Sequence, residues 1–418
     1  MKRVLFIAYY IPPAGGAGVQ RSTKFIKHLP EFGWNPVILT VHPDYYQILD
    51  PSLNSEIASE IPIHRTSAYQ LPAWIPWRVR NWVARWFLVV DEHLGWYPTA
   101  IRMGKQLLEK GDINAIYSTS PPPTDHLIAY ALKRSTRLPW LIDLRDPWAG
   151  NFSRHMPTAF HRRLDARLEA RAIRSADQVV VVSPTMREDL LARFPELAPE
   201  RITMLANGFD KDDFAGVLPV SLPGDRFSII YTGSFYRQER TPENFLRALA
   251  AALDEGRLPR SRIHVLFVGK FNRQVKEMIE GFGLADLVTL TGYLSHQKSI
   301  AYMLAANLLL LIIGGNPASK GILTGKLFEY LASGKPILAL VPDGAAADLV
   351  HEARAGVVVQ PDDIPAISDA LVEMYSHWET GDINLAPHPE IIARYERRSL
   401  TEKLANLLEV ISSSRTAA

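Results

Sequence analysis

Residues 321–338 read GILTGKLFEYLASGKPIL, and the rest of the chain is organised around them. A loop with Gly321, Thr324 and Gly325 leads into a helical run, Lys326-Leu327-Phe328-Glu329-Tyr330-Leu331-Ala332. Gly334 is placed to end that helix, and Pro336 opens a strand over 336–341. The apolar run 307–313 precedes the loop, so the unit is strand, Gly-rich loop, helix, strand. A helix N-terminus beyond the carboxyl end of a parallel strand collects free N–H groups and the positive end of the dipole, and both favour phosphate. Lys326 adds charge in the first turn. Glu329, three residues on, shares its face and can accept two hydroxyls of a ribose. The same pair also fits an ordinary surface helix, where an i,i+3 contact adds only ~0.2–0.5 kcal/mol.

The chain has 418 residues, enough for two or three domains, with 47% apolar and 22% charged residues. A net charge of +2 does not describe a surface built for nucleic acid, and no nucleic-acid partner is expected. The absence of cysteine excludes disulfides, thiolate metal sites and cysteine nucleophiles, and it suits the cytosol. Met1-Lys2-Arg3 followed by Val4 to Ala8 mimics a short signal peptide but reads better as a first strand ending before Pro12-Pro13. No stretch approaches the ~18 apolar residues that span a bilayer.

A strand over 4–9 is followed by the turn Pro12-Pro13-Ala14-Gly15-Gly16-Ala17-Gly18 and a helix from about Val19. Gly16-x-Gly18 matches half of a dinucleotide fingerprint, but Arg21 stands where its third glycine belongs and His42 follows the strand 36–41. The glycines instead let backbone approach a phosphate or a sugar. Strands are expected at 61–66, 115–119, 140–144, 178–182 and 202–205, with helices that include 125–134 and 162–174. After a loose stretch containing Gly216, Pro219, Pro223 and Gly224 the pattern restarts. Strands at 227–231, 263–268, 287–290, 307–313, 336–341 and 356–359 alternate with helices, including one over 242–253 capped by Thr241. The class is α/β, with two doubly wound, mostly parallel Rossmann-like domains. Their expected limits are 1–212, a linker 213–225, and 226–388. A last helix over about 389–412, within 389–418, is long enough to cross back to the first domain.

Seven motifs in order give the chain its resemblance. They are Gly15-Gly16-Ala17-Gly18-Val19-Gln20-Arg21, Ser175 to Ser183 (SADQVVVVS), Ala206-Asn207-Gly208-Phe209-Asp210, Tyr231-Thr232-Gly233-Ser234, Phe267-Val268-Gly269, Thr291-Gly292-Tyr293, and Lys326 to Pro336. Over nearly its whole length the chain resembles the family 4 glycosyltransferases of the GT-B fold, in which two Rossmann-like domains face across a cleft. The resemblance implies a nucleotide-sugar donor held mainly by the second domain, transfer with retention, and no metal or other cofactor. It departs from the family in three places. Gly321 occupies the first position of the usual E-x7-E, whose second glutamate is Glu329. Ser234 replaces the arginine that commonly follows Gly233, leaving Arg237 or Arg240 for the diphosphate. The usual His-Asp becomes Asp143-Leu144-Arg145-Asp146-Pro147-Trp148. That variant, like Ser118 to Pro123, is common among bacterial members that act on surface polysaccharides.

The expected donor-binding residues are Gly16, Gly18, Ser234, Arg237, Arg240, Lys270, Tyr293, Lys326, Leu327 and Glu329. Arg237, Arg240, Lys270 and Lys326 all follow strand ends, where preorganised cations stabilise the charge on a departing diphosphate. On the acceptor side Asp146 is placed to orient or deprotonate a hydroxyl, with Arg145 beside it, and His126 is placed to bind the sugar. Against these stand an Asp cap paired with Arg145 and a structural histidine. Residues 71–98 interleave Trp74, Trp77, Trp82, Trp86 and Trp96 with Arg78, Arg80 and Arg85. That composition fits either a helix packed on the first domain or contact with a membrane surface near a saccharide or lipid-linked acceptor, at the inner face of the membrane. Two other readings fit the same fold: a sugar-nucleotide epimerase, and a non-catalytic partner-binding protein.

Overall fold

The computed structural model describes residues 1–70, 74–76, 90–151, 156–235, 241–382 and 387–413. Backbone contacts divide the chain into two units, Met1–Ala206 with the segment from Arg397 onward, and Asn207–Glu396. Expected limits at 212 and 389 thus compare with observed divisions after 206 and 396.

The first unit contains β1 (Lys2–Ile7), α1 (Ala17–His28), β2 (Trp34–Val41), β3 (Ile63–Thr66), α2 (Tyr97–Leu108), β4 (Ala115–Ser120), α3 (Thr124–Thr136), β5 (Trp140–Leu144), α4 (Ala159–Ser175), β6 (Gln178–Val181), α5 (Pro184–Arg193) and β7 (Ile202–Met204). All seven strands are parallel, in the order β3-β2-β1-β4-β5-β6-β7. Such a sheet is covered on both faces, which is why its strands read as continuous apolar runs rather than alternating ones. Leu5, Ile7, Leu39, Ile116 and Ile142 pack on one face, while Val4, Phe6, Ile38, Tyr117 and Leu141 pack on the other.

The second unit contains β8 (Phe227–Thr232), α6 (Glu243–Asp254), β9 (Ile263–Val268), α7 (Arg273–Gly281), β10 (Val288–Leu290), α8 (His296–Ala305), β11 (Leu308–Ile312), α9 (Gly325–Ser333), β12 (Ile337–Leu340), α10 (Ala345–Glu352), β13 (Gly356–Val359), α11 (Ile364–Thr380) and α12 (Pro389–Ala393). Its six parallel strands run β10-β9-β8-β11-β12-β13. Gly334 ends α9 in the left-handed conformation, φ 67°, as its place in the sequence requires. At α6 the Thr241 hydroxyl accepts from Glu243 N at 3.3 Å.

The expected single helix over 389–412 is two helices. After α12 the backbone of Tyr395 and Glu396 pairs with Phe209, whose N–H donates to Tyr395 O at 3.1 Å. That strand-like bridge is incompatible with helical dihedrals. The helix restarts as α13 (Arg397–Ser413), within the first unit. There Leu400, Leu404, Leu408 and Ile411 recur at helical spacing and join Phe25, Ile26, Leu29 and Trp34 in one cluster.

Candidate active site

In a doubly wound sheet, ligands bind outside the carboxyl ends of the strands where the strand order reverses. In the second unit that point lies between β8 and β11. Beyond β8, Gly233 has φ 105°, and beyond β9, Gly269 has φ 152°. A Cβ on Gly269 would stand 2.0 Å from Gly233 O, and one on Gly233 would stand 2.9 Å from Lys326 Nζ. Glycine is therefore required at Gly269 by the close approach of backbone as well as by conformation, and at Gly233 by its positive φ, since the Lys326 side chain could swing aside.

α9 is fastened to this edge through one residue of β8. Lys326 Nζ donates to Thr232 O, and Thr232 N donates to the buried Tyr330 hydroxyl at 2.9 Å. The Lys326 ammonium also lies 3.8 Å from the centroid of the Tyr231 ring, within cation–π range. Its charge is thus held at the strand ends by a helix that cannot shift without breaking both links. One turn on, Glu329 Oε1 accepts from His296 Nε2 at 2.8 Å, and Asp213 Oδ2 lies 4.0 Å from the other ring nitrogen.

Several donor-side expectations fall at this edge. Ser234 is half-buried, and its carbonyl accepts from the Tyr231 hydroxyl at 3.0 Å. Lys270 and Tyr293 are exposed beside Gly269 and Gly292, which form a bridge with each other. Leu327 differs from its expected role: it has no exposed surface, and its N–H is bonded to Thr324 O, so it packs rather than presents. Arg237 and Arg240 lie outside the described residues. His296 was not anticipated, since one histidine at the head of α8 carries no sequence signal.

In the first unit the order reverses between β1 and β4. Gly16 is exposed and adopts φ 97° at the head of α1, where a side chain would be strained. Gly18 has no such need: a Cβ there would meet only Arg145 Nη1, at 3.9 Å. Arg21, where a dinucleotide fingerprint would have glycine, is almost wholly buried. It holds Asp143 through two contacts of 2.9 Å and donates to the carbonyls of Ala206 (2.7 Å) and Leu205 (2.9 Å). Burial alone would push the Asp143 carboxyl up. The Arg21 guanidinium and the Tyr117 hydroxyl outweigh it and hold the carboxyl below its ordinary value.

Two of the three acceptor-side expectations change. Arg145 does not pair with Asp146. Its guanidinium donates to Ser120 O (2.8 Å), Pro121 O (2.9 Å) and Gly18 O, so it ties the end of β4 to the first turn of α1. His126 is fully buried, with Nδ1 2.8 Å from Ser118 Oγ, and burial lowers its pKa to about 3. It is a neutral structural residue that no sugar can reach. Asp146 is exposed at the carboxyl end of β5.

A polar aromatic group that sequence reasoning missed stands beyond β1. Tyr10 Oη lies 3.1 Å from His93 Nε2, and the Tyr9 ring centroid lies 4.2 Å from that of His93. Burial lowers the His93 pKa and raises that of Tyr10 to about 12, so a neutral imidazole faces an un-ionised phenol. Asp91 accepts from Thr124 N at 2.8 Å and Asp125 accepts from Tyr9 N at 2.8 Å, tying residues 91–93 and the segment after β1 to α3. Of the tryptophan-rich stretch, Trp74 is 82% exposed and Trp96 is buried with its Nε1 on Thr66. Trp77, Trp82, Trp86, Arg78, Arg80 and Arg85 lie outside the described residues. No helix among the described residues is long and apolar enough to cross a membrane.

Comparison with known proteins gives two family matches: a glycosyl transferase 4-like domain over residues 15–208 and glycosyl transferases group 1 over residues 226–377. An alpha-D-kanosaminyltransferase of Streptomyces kanamyceticus is 24% identical over 295 residues, 68% of this chain and 73% of that protein. The fold is shared with sucrose-phosphate synthase of Thermosynechococcus elongatus, at TM-score 0.72 and 17% identity over 99% of this chain and 100% of that one. It is also shared with Anabaena HepE, solved with UDP-glucose, at TM-score 0.59 and 15% identity over 99% and 98%.

Proposed function

Since the chain belongs to the family 4 glycosyltransferases of the GT-B fold, we propose that it moves a sugar, with retention and without a metal, from a nucleoside diphosphate to a saccharide or lipid-linked acceptor in bacterial surface or exopolysaccharide assembly. The observation that carries this reading is the Lys326 ammonium fixed at the carboxyl end of β8, one helical turn before Glu329. As the glycosidic bond breaks, negative charge grows on the diphosphate. A cation already in place needs no reorganisation to stabilise it. Lys326 takes that role, with Arg237 and Arg240, which follow Ser234 in the sequence, while Glu329, oriented by His296, accepts from the ribose hydroxyls. HepE, solved with UDP-glucose, shares the fold, which supports a nucleotide-sugar donor.

On the acceptor side Asp146 orients the incoming hydroxyl and takes its proton. Arg145 acts one step removed by holding the surrounding loops. The Asp143 to Trp148 and Ser118 to Pro123 patterns support an acceptor in surface-polysaccharide assembly, and residues 71–98 reach the inner face of the membrane, where a lipid-linked acceptor resides. A thermal-shift panel of UDP, GDP, ADP and dTDP tests the donor half. One of them at 100 times its Kd should stabilise the chain by about 2.7 kcal/mol. Turnover with the matching nucleotide sugar and an acceptor extract should survive EDTA. Absence of any nucleotide-dependent shift would overturn the donor reading, and activity lost in EDTA and restored by Mg²⁺ would overturn metal independence.

A further inference from the structure

Every exposed position of α4 is Ala159, Phe160 or an arginine, namely Arg162, Arg163, Arg167, Arg171 and Arg174. The two acids of the helix, Asp165 and Glu169, are buried one turn apart on its inner side. Asp165 accepts from Trp148 Nε1 at 2.9 Å, and Glu169 accepts from Ala149 N at 3.0 Å. At about 100° per residue, Phe160, Arg163, Arg167, Arg171 and Arg174 share a stripe roughly 80° wide. Arg162, Arg163, Arg167 and Arg171 have no hydrogen-bond or ion-pair partner among the described residues, while Arg174 meets Glu196 at 2.7 Å. An ordinary surface helix intersperses glutamates among its arginines at i,i+4. α4 turns its acids inward to hold a loop and presents only positive charge outward.

We propose that this face of α4 docks on an anionic phospholipid surface. Charge complementarity sets the sign of the partner, and Phe160 sets its kind. Its ring, 66% exposed at the start of the arginine stripe, can enter the acyl boundary while the guanidinium groups hold lipid phosphates. Because Asp165 and Glu169 hold Trp148 and Ala149, the docked helix carries the loop of Asp146 to the bilayer. The surface is separate in sequence from residues 71–98, and its docking does not depend on sugar transfer.

The test is co-sedimentation of the full chain with vesicles of phosphatidylglycerol and phosphatidylcholine, or of phosphatidylcholine alone. Wild type should bind the anionic vesicles only, and more weakly as salt rises. Each arginine near such a surface contributes about fivefold, so Arg163→Gln/Arg167→Gln/Arg171→Gln should lose on the order of a hundredfold. Phe160→Ala should lower the binding that persists in high salt. Nucleotide affinity and thermal midpoint, unchanged in both variants, would show that the chain is intact. The proposal is overturned if the triple variant binds anionic vesicles as wild type does. It is equally overturned if that variant loses only single-stranded DNA or heparin binding, or if Arg78→Gln/Arg80→Gln/Arg85→Gln alone abolishes vesicle binding.

Discussion

Glu329 and His126 show how burial separates two residues that the sequence offers on equal terms. Glu329 is part-exposed and oriented by a 2.8 Å contact with His296, so its second carboxylate oxygen faces a defined direction. If it accepts from a ribose, Glu329→Ala should weaken nucleoside diphosphate binding more than tenfold, because a hydrogen bond to a charged group is worth ~1.5–3 kcal/mol. Calorimetric titration measures this, and an unchanged Kd would remove Glu329 from the donor site. His126 is sealed in the interior, where burial brings its pKa to about 3, against about 6.5 in an unfolded chain. The unfolded state therefore takes up a proton below pH 6.5 that the folded state refuses until about pH 3. Stability should fall through that window by about 1.4 kcal/mol per pH unit from this residue, with no contribution above it. Urea unfolding at a series of pH values should show a shallower acid slope for His126→Asn than for wild type. Equal slopes would mean that the imidazole is not held neutral.

At the scale of elements, the candidate site of the second unit is a set of strand ends pressed together until, at Gly269, only glycine fits. The approach of Gly269 to Gly233 O leaves no room for a methyl group, and the obstacle is backbone rather than a side chain that could swing away. Gly269→Ala should therefore displace the Gly233 loop and with it the contact between Lys326 and β8. We expect ~1–3 kcal/mol of destabilisation, as for a residue forced into strained backbone, together with weaker nucleotide binding. Gly18→Ala, at a glycine of ordinary φ whose Cβ would make only a 3.9 Å van der Waals contact with Arg145 Nη1, is the control and should leave stability within ~0.5 kcal/mol. If both variants melt at the wild-type temperature, the strand ends are less tightly packed than the distances require.

At the scale of the whole molecule, the first unit is completed by the last helix of the chain. α13 buries Leu400, Leu404, Leu408 and Ile411 against α1 and its surroundings, and the chain between is the second unit. Each such side chain contributes ~1.5–3 kcal/mol when fully buried. Ending the chain at residue 396 would strip this cover from Phe25, Ile26 and Leu29, so the truncated protein should be insoluble or rapidly proteolysed. Leu404→Ala, a milder change, should cost ~2–5 kcal/mol in urea unfolding. A soluble truncation with wild-type stability would show that α13 is dispensable to the first unit.

The sequence by itself determined the two alternating α/β patterns, the apolar strands and the end of α9 at Gly334, because periodicity, turn chemistry and glycine conformation are local properties. It also marked Lys326 and Glu329, which sit on one helix at fixed spacing, and so share a face before any folding is considered. Tertiary structure decided what depends on distant partners. Arg145 could be paired with Asp146 by proximity in sequence, yet three carbonyls from the end of β4 and the start of α1 claim its guanidinium. Arg21 reads as a broken glycine motif until Asp143, 122 residues away, is seen to hold it. His296 has meaning only beside Glu329, and the break before α13 arises only because Phe209 pairs with residues 395 and 396. Burial and pairing between remote segments carry these assignments, and neither is encoded in the neighbours of a residue along the chain.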